Sequence, residues 1–194
     1  MKLLRLTSSG PAPEDIYTER LLLRRPKPSD FEQWARLRQK SAGFLRPFEP
    51  SWTSDELSRS SFKARLRRQE ADINSGRGLP WFVIENNSKQ TLLGGLTLSN
   101  IRRGVAQTAT LGYWMGEPFA GHGYMSEAVM AVCASAFEVH RLHRVEASTV
   151  LHNTRSQGLL EKCKFEREGI AKSYLKIDGQ WEDHILFARV NNSS

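Results

Sequence analysis

Met125, Val129, Val132, Cys133, Ala136 and His140 recur at i, i+4, i+7, i+8, i+11 and i+15. That stripe predicts an amphipathic helix of about four to five turns. Ahead of it, "PSDFEQWARLRQK" (28–40) opens with a Ser29/Asp30 cap signal and puts Phe31, Trp34, Leu37 and Arg38 at helical spacing. A second helix is expected from about Ser54 to Asn74, with Leu57, Phe62, Leu66 and Ile73 as apolar positions and the glycines of "NSGRG" closing it. A short fourth one is expected over "NTRSQGLLEKC" (153–163), with Asn153 as its cap.

Short β-rich runs predict strands at "ERLLLRRP" (19–26), "LPWFVIE" (79–85), "QTLLGGLTLSNI" (90–101), "QTATLGYWM" (107–115) and "RVEASTV" (144–150). Asn86 and Asn87 mark one turn and "RRG" (102–104) the next. "FEREGIAKSYLK" and "EDHILFARV", joined through "IDGQ", read as a closing hairpin. The order is β-α-α-β-β-β-α-β-α-β-β. It implies an α/β fold with a mixed, mostly antiparallel sheet, and a single β-α-β crossover after residue 116.

Composition changes this picture little. The chain has 194 residues, 39% hydrophobic and 25% charged, which suits one domain with a real core. No apolar run reaches membrane-spanning length, and Arg5 interrupts any signal-like segment, so residues 1–16 read as a loose lead-in, 17–191 as the domain, and the location as cytoplasmic. Cys133 and Cys163 fall at apolar helical positions and read as reduced core thiols. The histidines at 122, 140, 143 and 152 have no Cys or Asp companions at ligand spacing, so no metal is expected. A net charge of +7 favours an acidic partner without choosing among nucleic acid, a phosphorylated cofactor and an assembly of either.

"GEPFAGHGYMSEAV" (116–129) is where chemistry enters. A glycine loop running into a helix start offers unpaired N–H groups and the positive end of the helix dipole to an anion. The loop lacks the Gly-Lys-Ser/Thr ending of a nucleotide P-loop. Ser126 stands where a dinucleotide fingerprint needs its third glycine, and about 70 residues then follow, too few for a doubly wound domain. The loop chemistry leaves two readings: a diphosphate of the coenzyme A kind, or a glycine-eased helix entry holding nothing.

"TLGYWMGEPFAGHGYMSEAV", "HNTRSQGLLEKCKFEREG" and "YLKIDGQWEDHILFA" together resemble the GNAT acyltransferases, over roughly residues 18 to 189. Within that family they resemble the ribosomal-protein N-terminal acetyltransferases, the RimJ and RimL subgroup. "FLRPFEP" (44–50) and "IDGQWEDH" (177–184) are similar to its RimJ side. The family's Gln/Arg-x-x-Gly-x-Gly/Ala loop lands on Ala120 to Met125, where Ala120 and Met125 depart from it and Gly123 keeps the central glycine. Lys164 stands where relatives carry Gly before Phe165.

The resemblance implies acetyl-CoA as cosubstrate. Its diphosphate would lie on the N–H groups of Gly121, His122, Gly123, Tyr124 and Met125, and its pantetheine along the free edge near Tyr113, Trp114 and Met115. Asn153 would bond a pantetheine amide, or act simply as a helix cap. Ser156 would protonate the departing thiolate, or be an ordinary first-turn residue. Relatives often carry a Glu base on the strand before the loop, but Thr110 occupies that slot, which leaves Glu49, Glu117 and Glu127. Glu49 is the candidate at the peptide entrance, and Glu127 reads better as a helix anchor.

An α-amine with pKa near 7.7–8.0 is roughly a quarter neutral at neutral pH, whereas a lysine amine is neutral about once in a thousand. A weak base therefore suits an N-terminal acceptor. By resemblance that acceptor is a ribosomal protein's N-terminus, the alanine of small-subunit protein five, met on the small subunit or its precursor. "KARLRR" (63–68), "RLRQK" (36–40) and "RR" (102–103) could rest near rRNA phosphates, or be solvated helix faces. Other ribosomal N-termini, polyamines, antibiotic amines and a ribosome-assembly or RNA-binding role on the same fold remain the alternatives.

Overall fold

The computed structural model describes residues 14–87 and 90–192. Its elements are β1 (Ile16–Tyr17), β2 (Leu21–Arg24), α1 (Phe31–Lys40), α2 (Ala42–Leu45), α3 (Arg59–Asn74), β3 (Leu79–Glu85), β4 (Leu92–Arg102) and β5 (Thr108–Met115). They continue as α4 (Tyr124–Glu138), β6 (Arg144–Val150), α5 (Thr154–Lys162), β7 (Glu166–Ile177) and β8 (Gln180–Val190). One eight-stranded sheet runs β1-β2-β3-β4-β5-β6-β8-β7. Every neighbouring pair is antiparallel except β5 with β6, the two strands that the α4 crossover joins. The α/β fold expected from the sequence is the fold observed.

Alternation along the strands builds two cores. Leu21, Leu23, Trp81, Val83, Leu111 and Met115 turn to one face, where α4 buries Met125, Val129, Val132, Cys133 and Ala136. Leu22, Phe82, Ile84 and Trp114 turn to the other, against Trp34 of α1 and Phe62 of α3. Both cysteines are free and buried, and burial pushes the Cys133 thiol up to about 12. The β7–β8 hairpin closes through Asp178 and Gly179, both at positive φ (43° and 84°), the geometry of a two-residue type I′ turn.

Several expectations shift. Asp30 gives α1 no side-chain cap; its carboxylate binds the Arg24 guanidinium at 2.6 Å and accepts from the Lys27 N–H at 2.7 Å. The second helix starts at Arg59 instead of Ser54, because Ser58 takes the capping position and accepts from Ser61 N–H at 3.1 Å. His140 lies buried just beyond α4. The lead-in falls outside the described residues up to 13, but its end is structured: Ile16 pairs with Leu23, and Trp81 Nε1 donates to the Glu14 carbonyl at 3.1 Å. Lys164 has φ 65°, a left-handed turn residue at the place where relatives carry glycine.

Candidate active site

β5 and β6 pair only from Thr108 with Arg144 to Thr110 with Glu146. Beyond that point β5 continues to Met115 on β4, and β6 continues to Val150 on β8. The two strands therefore part, and their facing backbone edges from Leu111 and from Ala147 onward are left without a ladder partner. An open wedge in mid-sheet exposes peptide groups that a ligand can satisfy.

The glycine loop stands at the end of β5. Glu117–Phe119 forms a short 3-10 turn, and Gly121 and Gly123 have φ of 81° and 80°. At such φ a Cβ is disfavoured by about 1–2 kcal/mol, so glycine is the residue for both places. Gly123 is the N-cap of α4 and provides no side-chain cap. Glu127 N–H is the first to be bonded, on the Gly123 carbonyl at 3.1 Å. The N–H groups of Gly121 to Ser126 meet no acceptor among the described residues. Gly121 and His122 are exposed, while Met125 is buried in the core, so the loop offers backbone to solvent from a fixed base.

A cation holds this loop from the N-terminal side. Arg20 donates to the His122 carbonyl at 3.2 Å, lies 4.6 Å over the Tyr124 ring and pairs with Glu127 at 2.6 Å. Thr18 Oγ1 also donates to Glu127, at 2.5 Å. Burial opposes ionisation of Glu127, but the hydrogen bonds from Thr18 and Arg20 outweigh it and hold the carboxyl below its ordinary range. Glu127 is the helix anchor that the sequence suggested. Glu117 is exposed, with its N–H on Ser41 Oγ at 2.9 Å.

Across the wedge, Tyr113 on β5 reaches α5: its hydroxyl lies 2.7 Å from Ser156 Oγ. Burial, only partly offset by that hydrogen bond, pushes the Tyr113 phenol up to about 12. Asn153 caps α5, its Oδ1 accepting from Ser156 N–H at 3.2 Å. Tyr113, Asn153 and Ser156 thus come together. Met115 is buried at the strand end, against α4. Alternation turns the Trp114 side chain to the α1/α3 face, while its backbone stays on the unpaired stretch of β5.

On that face lies a cleft of about 360 Å³, floored by Gly95, Thr97, Gly112 and Trp114 and walled by Glu49, Trp52 and Arg65. Glu49 is there, but engaged. Arg38 donates to both of its oxygens, at 3.1 and 2.5 Å, and Trp52 Nε1 donates to Oε2 at 2.8 Å. The Arg38 guanidinium is caged by Trp52 at 4.6 Å, Trp114 at 5.1 Å and Trp34 at 5.9 Å. Both carboxylate oxygens are already taken by the Arg38 guanidinium and the Trp52 indole, which weighs against Glu49 as the base.

The segment carrying Glu49 is strapped over the mouth of the wedge. Phe44 lies under Arg155 at 4.9 Å, Phe48 packs on His152 at 5.6 Å, and the Glu49 carbonyl accepts from Asp178 N–H at 2.9 Å. Sequence reasoning put Glu49 at the peptide entrance but missed the bonds that fasten its segment and the tryptophan cage. The available signal was Arg38 itself, a charge sharing a helical stripe with Trp34 and Leu37.

The basic clusters lose members to internal bonds. Arg38 is buried, Arg102 meets Thr108 Oγ1 at 3.1 Å, and Arg103 donates to the His140 carbonyl at 2.6 Å. Lys63, Arg67 and Arg68 on α3 stay exposed. No group of three His, Cys, Asp or Glu side chains that could hold a metal occurs among the described residues.

This geometry has close counterparts. The acetyltransferase (GNAT) domain matches residues 20–166. The [ribosomal protein uS5]-alanine N-acetyltransferase of Escherichia coli (strain K12) is 34% identical over 173 residues, 89% of each chain. The structure of ribosomal-protein-S5-alanine acetyltransferase from Vibrio fischeri superposes with a TM-score of 0.85 at 28% identity, over 93% of this chain and 98% of that one. Mycobacterium smegmatis RimJ in complex with CoA-disulfide gives a TM-score of 0.84 at 29% identity, over 92% and 88%. The open wedge, the glycine loop at the head of α4 and this match across most of the domain carry one conclusion: the chain belongs to the GNAT family and is an acetyltransferase.

Proposed function

We propose that this enzyme transfers the acetyl group of acetyl-CoA to the N-terminal α-amine of a ribosomal protein in the cytoplasm. The favoured acceptor is the N-terminal alanine of small-subunit protein five, attacked directly without an acyl-enzyme and met on the subunit or its precursor, where Lys63, Arg67 and Arg68 face rRNA phosphates. The observation that carries the reading is the parting of β5 from β6 beyond Thr110 and Glu146, with a hydroxyl pair on one side and a cleft on the other. The similarity to an alanine N-acetyltransferase of Escherichia coli supports the acceptor.

The residues fit a coenzyme A thioester. Consecutive unpaired N–H groups from Gly121 to Met125, beside the Arg20 guanidinium, suit a diphosphate. The bare edge of β5 near Tyr113 to Met115 suits an extended pantetheine. The Asn153 amide nitrogen remains for one of its carbonyls, since Oδ1 alone serves the cap. Acetyl-CoA supplies an activated carbonyl and a sulfur leaving group. The free β5 amides face the carbonyl oxygen as negative charge grows there. Ser156 Oγ holds the proton that the departing sulfur takes up, and Tyr113, protonated at every physiological pH, orients that hydroxyl and replenishes it. Glu49 keeps Arg38 and the cleft wall in place, and water in the cleft removes the amine proton.

The test is incubation with acetyl-CoA and peptides starting with Ala, Ser or Met, alongside an N-blocked lysine peptide and spermidine, reading free thiol and product mass. Acetylation at the α-amine, fastest on alanine, is expected. Modification of lysine or spermidine alone overturns the reading.

A further inference from the structure

Strand alternation puts Thr110, Gly112 and Trp114 of β5 on one face, beside Gly95, Thr97 and Ser99 of β4, with Thr97 directly opposite Gly112. Packing of Trp114 toward α1 and α3 marks that face as the floor of the cleft. The floor is filled on either side of Gly112. The Trp114 indole lies over Gly95, where a Cβ would fall 2.8 Å from its Nε1, and Thr110 carries its own side chain. Gly112 itself is exposed, and a Cβ built on it meets nothing within 4 Å. The floor therefore holds a vacancy one side chain wide, flanked across the ladder by the partly exposed Thr97.

This vacancy adjoins the reacting centre. Gly112 immediately precedes Tyr113, whose hydroxyl lies 2.7 Å from Ser156 Oγ, and it belongs to the stretch of β5 that β6 has left. An attacking amine nitrogen comes within about 3–3.5 Å of the thioester carbonyl, and the first Cα of the acceptor is one bond of about 1.5 Å beyond it. A first side chain held that way stays close to β5. The wall above does not yield readily, because the Trp52 indole is gripped between the guanidinium groups of Arg38 at 4.6 Å and Arg46 at 5.0 Å.

We propose that the Gly112 vacancy receives the first side chain of the acceptor polypeptide and that Thr97 limits its size. The inference rests on the N-terminal acceptor proposed above and names what selects its first residue. Alanine and serine fill a single side-chain position, whereas valine and larger residues run into Thr97. The Thr97 hydroxyl makes no hydrogen bond among the described residues, so truncating it breaks no internal bond.

The test uses peptides that differ only in a first residue of Gly, Ala or Val, with spermidine alongside, and compares kcat/KM ratios. One methylene more or less in a fitted pocket is worth about 10–200-fold, so the wild type should favour Ala over Val by at least about tenfold. Gly112→Ala adds a methyl group to the vacancy and should lower the Ala-to-Gly ratio by about tenfold. Thr97→Ala widens it and should raise the Val-to-Ala ratio by about tenfold. Melts of both variants should stay near the wild type, since one Cβ enters open space and the other change removes no bond. A merely structural role would slow all peptides alike; a ratio unmoved in either variant overturns the proposal while the α-amine reading stands. Absence of α-amine acetylation on every peptide, with spermidine modified, overturns both.

Discussion

The Tyr113 and Ser156 hydroxyls stand 2.7 Å apart across the opening between β5 and α5. The contact joins the strand that ends at the glycine loop to the helix that Asn153 caps. A proton leaving Ser156 can be restored from a phenol that burial keeps un-ionised. Ser156→Ala should therefore lower kcat by about 10²-fold, the lower end of general-acid contributions, with little change in acetyl-CoA affinity. Tyr113→Phe, which keeps the ring, should show a smaller loss. Thiol release in the steady state and calorimetry with CoA measure the two quantities separately. Full activity in the Ser156→Ala variant would remove the acid role.

Glu49 can be tested as a wall against a base. Glu49→Ala leaves Arg38 buried among three indoles without its anion, and should destabilise the fold by about 3 kcal/mol. Glu49→Gln keeps hydrogen bonding to Arg38 and Trp52, and should retain kcat within about tenfold. A general base is worth at least about 10². Thermal melts and pH–rate profiles of both variants decide the matter; loss of the acidic limb in Glu49→Gln would restore the catalytic role.

Glu127 links the loop to acid stability. Its folded-state pKa is depressed, so its contribution is complete above the ordinary glutamate value of about 4.3 and disappears as pH falls through the lower folded value. Melting curves of the wild type and Glu127→Gln should differ at neutral pH and converge under strongly acid conditions. The same variant frees Arg20 from its tie, so CoA binding should weaken even where the fold is intact.

Gly112 offers a way to fill the cleft without disturbing the core. Its Cβ position is open and β-branched residues suit a strand, so Gly112→Val should melt near the wild-type temperature. Acceptor KM should rise by about tenfold or more as the new side chain takes the space above the floor. Gly95→Ala is the contrasting case. There a Cβ falls 2.8 Å from Trp114 Nε1, and the cage around Arg38 has to move. Calorimetric melts and acceptor titrations of both variants test the contrast.

Local pattern made much of this legible. The stripe from Met125 to Ala136 became α4, the two closing strands became the β7–β8 hairpin, and Asn153 became the α5 cap. What escaped was either short or long-range. β1 and α2 are two and four residues long, below any periodicity. The Arg38–Glu49 pair joins a helix face to a strap whose path depends on the far hairpin, and nothing near either residue announces the other. The face that Trp114 takes depends on register, since a shift of one position exchanges the two sides of a strand. The loop was legible because its signal is the absence of side chains, which survives any tertiary context.

The bond from Asp178 N–H to the Glu49 carbonyl fastens the strap to the final hairpin. Chain order puts the glycine loop and the wedge-lining β5 and β6 ahead of that hairpin. The wall of the cleft therefore takes its final position only once β7 and β8 have folded, later in the chain than the strands it covers.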